Sequence, residues 1–135
     1  MLSGEKDLKI LLRAMAPELG DEDYVFYTAE MTLKNAIALK PWAIITEKEG
    51  ISLILEKTRA ERNGISFQGI YKRITLNVHS SLDAIGLTAA ISTKLAEAGI
   101  SANVVAAYYH DHVFIQKEKA EESLKLLMEL TKISR

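Results

Sequence analysis

Cysteine is absent from this 135-residue sequence, and that absence excludes several kinds of chemistry at once. Without a thiol the chain cannot form disulfides, thiolate zinc sites or iron–sulfur clusters, and it cannot use a cysteine nucleophile. Long apolar runs are also missing, so no segment is expected to span a bilayer. The N-terminal run Met1–Glu5 lacks the apolar core of a secretion signal, which predicts a cytoplasmic protein.

An excess of positive charge is missing too. The 17 basic and 18 acidic residues give a formal net charge of -1. The densest basic stretch, between Arg59 and Arg73, is interrupted by Glu61. Because nucleic-acid-binding surfaces are basic, we expect neither a nucleic acid nor a membrane surface as a partner. Hydrophobic residues make up 48%, which suits one compact domain or two very small units.

Apolar spacing in the first half predicts short elements of both kinds. A helix is expected where leucines recur at helical spacing before Pro17, and strands where β-branched and aromatic residues cluster. Glu47–Gly50 reads as the loop of a hairpin. The expected elements are a helix over Glu5–Ala16, strands at Tyr24–Thr28, Trp42–Thr46 and Ile51–Leu55, and a helix over Glu56–Arg62.

The second half shows a clearer order of elements. Its alternation and helical spacing predict strand, helix, two strands of a hairpin and a final helix. The expected elements are a strand at Ile70–His79, a helix over Ala84–Ala98, strands at Asn103–Tyr109 and His112–Gln116, and a helix whose inner face carries Ala120, Leu124, Leu127 and Met128.

This order is the split β-α-β arrangement of a ferredoxin-like sheet. The crossover should be right-handed, so the strands Ile70–His79 and Asn103–Tyr109 should be parallel with the helix on one face. In the split layout the last hairpin strand lies between these two strands and antiparallel to both. Its missing fourth strand must come from the first half, with Tyr24–Thr28 and Ile65–Gln68 as candidates. The strand–loop–strand–helix order of Trp42–Arg62 recurs at Val104–Glu129, which favours two related units. We expect an α+β fold with the units spanning residues 1–69 and 70–135.

The run from His79 to Thr88 (HSSLDAIGLT) resembles the first strand–helix connection of an ACT domain. Leu2–Glu5, Leu95–Ser101 and Tyr108–Ile115 extend the likeness over nearly the whole chain. The sequence is similar to small stand-alone proteins with two tandem ACT-like units, related in layout to aspartokinase regulatory tails and CASTOR-type arginine sensors. The first half departs from the family order, since the helix after its first strand is missing or shrunken and an extra helix precedes it.

The resemblance implies two fused βαββαβ sandwich units, a regulatory protein that senses a small molecule such as an amino acid, and a homodimer. The chemistry of the residues in the loop from Ser80 to Gly86 agrees with an amino-acid ligand. Ser80 and Asp83 have capping-box spacing, so the following helix should offer its N-terminal N–H groups to a ligand carboxylate. Asp83 or Asp111 would pair with the ligand's amine, and Gly86, which has no side chain, would let the ligand or a neighbouring backbone come close. The predicted ligand-binding residues are His79, Ser80, Ser81, Asp83, Gly86, Leu87, Asn103, Val104, Tyr108, Asp111 and His112.

Other interpretations of the same residues remain open. Ser80, Asp83 and Gly86 also suit the plain start of a helix, and Asp111 suits a solvated turn. His79, His110 and His112 would be the ligands of a metal-dependent enzyme if they converge. A third alternative is an ACT-like dimerisation or docking module without a ligand. No nucleophile–base pair or phosphate loop is evident, so we expect no catalysis, cofactor or metal.

Overall fold

The computed structural model describes residues 4–77 and 86–133, which fold as two units. The central unit is Asp21–Tyr71. The composite unit joins Met1–Gly20 to Lys72–Arg135. The boundary expected between residues 69 and 70 stays a prediction for the two ACT-like units. The described residues before Asp21 nevertheless pack with the second half of the chain.

The central unit has a three-stranded antiparallel sheet in which β4 (Ile51–Glu56) lies between β3 (Ala43–Thr46) and β2 (Tyr24–Ala29). Its helix-covered side buries Val25, Leu53 and Leu55. The helix α2 is short, as the sequence indicated, and begins where the Thr32 hydroxyl accepts a hydrogen bond from the Asn35 N–H at 3.1 Å. The elements are β2 (Tyr24–Ala29), α2 (Leu33–Ala38), β3 (Ala43–Thr46), β4 (Ile51–Glu56) and α3 (Lys57–Arg62).

The composite unit confirms the ferredoxin-like arrangement. Its sheet has the order β1 (Pro17–Leu19), β5 (Tyr71–Leu76), β7 (Asp111–Gln116) and β6 (Asn103–Ala106), so β7 lies between β5 and β6 as expected. A core of buried aliphatic side chains, among them Ile74, Ile91 and Val113, fills the space between this sheet and the helices. The elements are α1 (Gly4–Ala14), β1 (Pro17–Leu19), β5 (Tyr71–Leu76), α4 (Leu87–Glu97), β6 (Asn103–Ala106), β7 (Asp111–Gln116), a 3₁₀ turn (Lys117–Lys119) and α5 (Ala120–Ile133).

The fourth strand does come from the first half of the chain, but it is neither of the two candidates. Pro17–Leu19 pairs antiparallel with β5 in the register Glu18 to Thr75. Tyr24 makes only a single pair, with Tyr71. A three-residue strand is too short to show alternation, and it opens with a proline, which suits the first residue of an edge strand. Both features hid β1 from sequence reasoning.

One further expectation is corrected. Met128 was expected on the inner face of the last helix, but it is 43% exposed, whereas Leu127 is fully buried. Among the described residues, no helix is long and apolar enough to cross a membrane.

Candidate ligand-binding site

The β6–β7 hairpin carries most of the predicted site residues that the structure describes. Its strands pair in the register Ala106 to Asp111, and the loop is held by a bond from the Ala107 N–H to the His110 carbonyl at 3.0 Å. Tyr108 and Tyr109 lie at its tip, 69% and 65% exposed, with their rings edge to face. The structure therefore directs Tyr108 outward.

Two histidines tie this hairpin to β5. The His110 Nδ1 donates to the Leu76 carbonyl oxygen at 3.2 Å, because a carbonyl can only accept. The His112 Nδ1 lies 3.0 Å from the Thr75 hydroxyl. The two rings are 6.2 Å apart between centroids. These contacts fix both imidazoles where β7 begins.

His112 is kept neutral by its surroundings. Burial lowers the pKa of His112 to about 4, and the positive charge of Arg73 and the neighbouring His110 contribute in the same direction. An imidazole with such a pKa carries no charge at neutral pH. His112 therefore offers a hydrogen-bonding group without a charge.

Asp111 points to the helix-covered face of the sheet. It alternates with Val113 and Ile115, which are core residues, and it is only 7% exposed. Burial raises the pKa of Asp111, since a desolvated carboxylate is costly to ionise. The interpretation of Asp111 as a solvated turn residue is therefore wrong, because it is a buried strand residue.

The N-terminus of α4 offers donors on the same unit. The helix begins at Leu87, with Gly86 as its N-cap in a left-handed conformation at φ 91°. No side chain of the described residues caps it, and its first turn holds no acidic residue. The first N–H groups of such a helix suit an anion.

The space beside Gly86 is filled by the protein itself. A Cβ at this position would lie 3.3 Å from Cδ2 of Leu8, which belongs to α1. Leu87 is a core residue at 2% exposure. Glycine is therefore required here by its positive φ and by the packing of α1, and the clearance that we assigned to a ligand is taken by Leu8.

Asn103 and Val104 lie further along the hairpin. The Asn103 side-chain amide donates to the Phe114 carbonyl at 3.2 Å, and Val104 packs against the core. Asn103 pairs with Phe114, three residues along β7 from Asp111, which is about 10 Å of strand. The structure thus gives both residues roles in the ladder and the core.

Four predicted residues, His79, Ser80, Ser81 and Asp83, lie outside the described residues. Within residues 4–77 and 86–133, no group of three His, Asp or Glu side chains is placed to hold a metal ion. The proposed triad includes His79, so it stays a prediction.

Sequence reasoning missed three polar residues that line a groove with His112. They are Glu18, Arg73 and Thr75. Alternation along β5 places Arg73 and Thr75 opposite the core residues Ile74 and Leu76, a signal that was available in the sequence. Glu18 had no such signal, because β1 itself was not predicted.

These features describe a ferredoxin-like unit with a polar groove on the face of the sheet opposite its core. The ACT domain family matches the sequence twice, over residues 3–72 and over residues 71–129. The chain belongs to the ACT-domain family, and the expected tandem arrangement is confirmed.

Several solved structures share the fold of this chain. A Vibrio cholerae protein of unknown function, described as a possible transport protein, is 50% identical, with 96% of this chain and 99% of that chain covered and a TM-score of 0.86. The regulatory subunit of aspartate kinase from Thermus flavus shares the fold at 12% identity, with 87% and 98% covered and a TM-score of 0.63. An Agrobacterium tumefaciens protein shares it at 14% identity, with 85% and 87% covered and a TM-score of 0.64. No curated protein matches the sequence.

Proposed function

We propose that this protein is a regulatory protein that binds a small amino-acid-like ligand, and that it has no catalytic activity of its own. The observation that carries the proposal is the buried carboxylate of Asp111 at the start of β7. Among the residues that the structure describes, no lysine or arginine forms an ion pair with it. A ligand ammonium group would supply the missing counter-charge.

The carboxylate end of the ligand would bind at the N-terminus of α4. No side chain of the described residues caps its first N–H groups, which suit the α-carboxylate, so the two ends of a free amino acid would each find a partner. His79, Ser80, Ser81 and Asp83 remain part of the proposed site because they precede this helix in the sequence. Membership of the ACT family, whose domains are regulatory modules, supports the same function.

A thermal-shift screen against the twenty common amino acids tests this proposal first. The amino acid that raises the melting temperature is then titrated by calorimetry into the wild type, Asp111→Asn and Glu49→Gln. Glu49 is an exposed loop acid and serves as the matched control. We expect a loss of about ten- to a hundredfold in affinity for Asp111→Asn alone, because a charge-assisted contact is removed.

Two results would contradict the proposal, one from this screen and one from a metal analysis of the purified protein. If none of the twenty amino acids raises the melting temperature, the docking-module alternative replaces it. If zinc or iron remains at one equivalent after chelation and dialysis, and His112→Ala removes it, the metal-dependent alternative replaces it.

We also propose that the protein is a cytoplasmic homodimer. The strands β3 and β6 have a partner on only one side among the described strands, and open edges favour pairing with a second chain. Large apolar side chains are exposed as well, among them Ile45 at 46% and Ile37 at 56%. Light scattering at micromolar concentrations should give twice the monomer mass, and a monomer mass at every concentration would contradict a dimer.

A further inference from the structure

The face of the composite-unit sheet opposite its core carries a row of polar side chains. Glu18 on β1 pairs with Thr75 on β5, and the Thr75 hydroxyl lies 3.0 Å from the His112 Nδ1 on β7. The neighbours of these residues along each strand face the core, so the three side chains project from the other face. Three adjacent strands thus contribute one line of polar groups.

Arg73 lies beside this row, two residues before Thr75 on the same face. Across from it the chain continues from β1 into Gly20, whose N–H donates to the Arg73 carbonyl at 2.9 Å. Gly20 itself adds no side chain beside Arg73. The result is a groove of about 520 Å³ lined by Glu18, Leu19, Gly20, Arg73, Thr75 and His112.

The groove holds groups of both charges. Glu18 is exposed, and its Oε2 accepts a hydrogen bond from the Asn77 side chain at 2.7 Å, which orients the carboxylate. Arg73 supplies a guanidinium, the group best suited to a carboxylate partner. His112 and Thr75 add neutral hydrogen-bonding groups to the same lining.

We propose that this groove is a second binding site, for a small zwitterion whose carboxylate faces Arg73 and whose ammonium group faces Glu18. Its volume lies in the range of small-molecule sites, and its lining holds one carboxylate and one guanidinium, which match the two charged groups of a free amino acid. This groove and the Asp111 site of the proposed function share only the class of ligand. Asp111 faces the core side of the sheet, so it takes no part in this groove.

The pKa of His112 should respond to a ligand in the groove, because charged groups lie around its ring. Burial is the largest cause of the lowered pKa of His112, and Arg73 on β5 and His110 on the hairpin add to it, while Glu18 on β1 lies across Thr75 from His112. A bound carboxylate beside Arg73 would offset that positive charge. Ligand in the groove should therefore raise the pKa of His112 towards its ordinary value.

The experiment follows the His112 ring protons by NMR in the full chain. L-alanine, propionate and propylamine are matched probes, since they carry both charges, the carboxylate alone and the amine alone. We expect L-alanine to shift the His112 signals and raise its pKa, propionate to do so more weakly, and propylamine to have no effect. Absence of any shift with L-alanine at tens of millimolar would overturn the site, and equal responses to L-alanine and propionate would overturn its zwitterion selectivity.

Variants separate this groove from the Asp111 site. Arg73→Gln should lower the affinity for L-alanine, measured from the concentration that gives half of the His112 shift, about ten- to a hundredfold. Glu18→Gln changes an exposed residue, so it should keep the fold and abolish the preference for L-alanine over propionate. Asp111→Asn should leave both responses intact. If Asp111→Asn removes the His112 shift while Arg73→Gln and Glu18→Gln do not, the ligand occupies the Asp111 site and the groove is not a site.

Discussion

Asp111 and His112 are neighbours in the sequence, yet their side chains point to opposite faces of the same sheet. Burial shifts the pKa of each in the direction that favours its neutral form: upward for Asp111 and downward for His112. One strand end therefore presents a carboxyl group to the core side and a neutral imidazole to the other. This division separates residues that the sequence had placed in one pocket.

Replacing Asp111 with asparagine should stabilise the protein while it weakens ligand binding. The substitution removes a desolvated carboxylate and keeps its shape, so we expect a gain of about 1 kcal/mol at pH 7. Urea denaturation of the wild type, Asp111→Asn and the exposed control Glu49→Gln measures this gain. A loss of stability confined to Asp111→Asn would show that the carboxylate is satisfied within the protein, and would contradict the proposed ligand role.

The pH dependence of stability should report His112. Its pKa is about 4 in the folded protein, whereas the unfolded value is close to 6.5, so below pH 6.5 the unfolded chain binds the proton first. Stability should then fall as the pH decreases from 6.5 to 4, by about 1–3 kcal/mol after allowance for the partial exposure of the ring.

Asp111 acts in the opposite sense over part of this range. Its pKa is raised by folding, so its contribution favours the folded state at low pH and is lost as the pH rises through the folded pKa. Urea titrations are therefore best compared in an Asp111→Asn background, with and without His112→Asn. The free energy of unfolding should fall less on acidification in the Asp111→Asn, His112→Asn double variant than in Asp111→Asn alone. An equal fall in the two proteins would contradict the assignment to His112.

Alanine at Gly86 should be more costly than alanine at Gly64. Both glycines have positive φ, 91° and 67°, so each substitution carries a conformational cost of about 1 kcal/mol or more. Only Gly86 also has a close neighbour, since a Cβ there would lie 3.3 Å from Leu8, while Gly64 has open space.

A double-mutant cycle isolates the steric part of this cost. In a Leu8→Ala background the penalty of Gly86→Ala should shrink, whereas the penalty of Gly64→Ala should stay the same. Chemical denaturation of the six proteins measures both differences. If the Gly86→Ala penalty is unchanged when Leu8 is shortened, α1 does not pack on this turn as described.

The strand–helix order of the second half could be predicted because each element is long enough to show its period. Alternation across Ile74 and Leu76 and helical spacing through Leu87, Ile91 and Leu95 gave the βαββα order directly, and the buried residues agree. The three residues of β1 show no period at all, so the source of the fourth strand was assigned wrongly.

The site was predictable only in part, because side-chain direction depends on where a strand begins. Asp111 was placed in a turn, and moving the start of β7 to Asp111 changes it from an exposed residue to a buried one. Gly86 was recognised as a position of close approach, but spacing could not tell that Leu8, 78 residues earlier in the sequence, fills the space. Contacts between distant segments leave no local pattern.

The carboxyl carbon of Asp111, followed by ¹³C NMR as the pH is varied, tests the central claim most directly. In the free protein the pKa of this carboxyl should lie above its ordinary value, because burial raises it. In the presence of the amino acid that raises the melting temperature, we expect that pKa to fall, since an ammonium partner stabilises the charged form. Binding that leaves the pKa of Asp111 unchanged would show that the ligand amine lies elsewhere, and would contradict the proposed role of this residue.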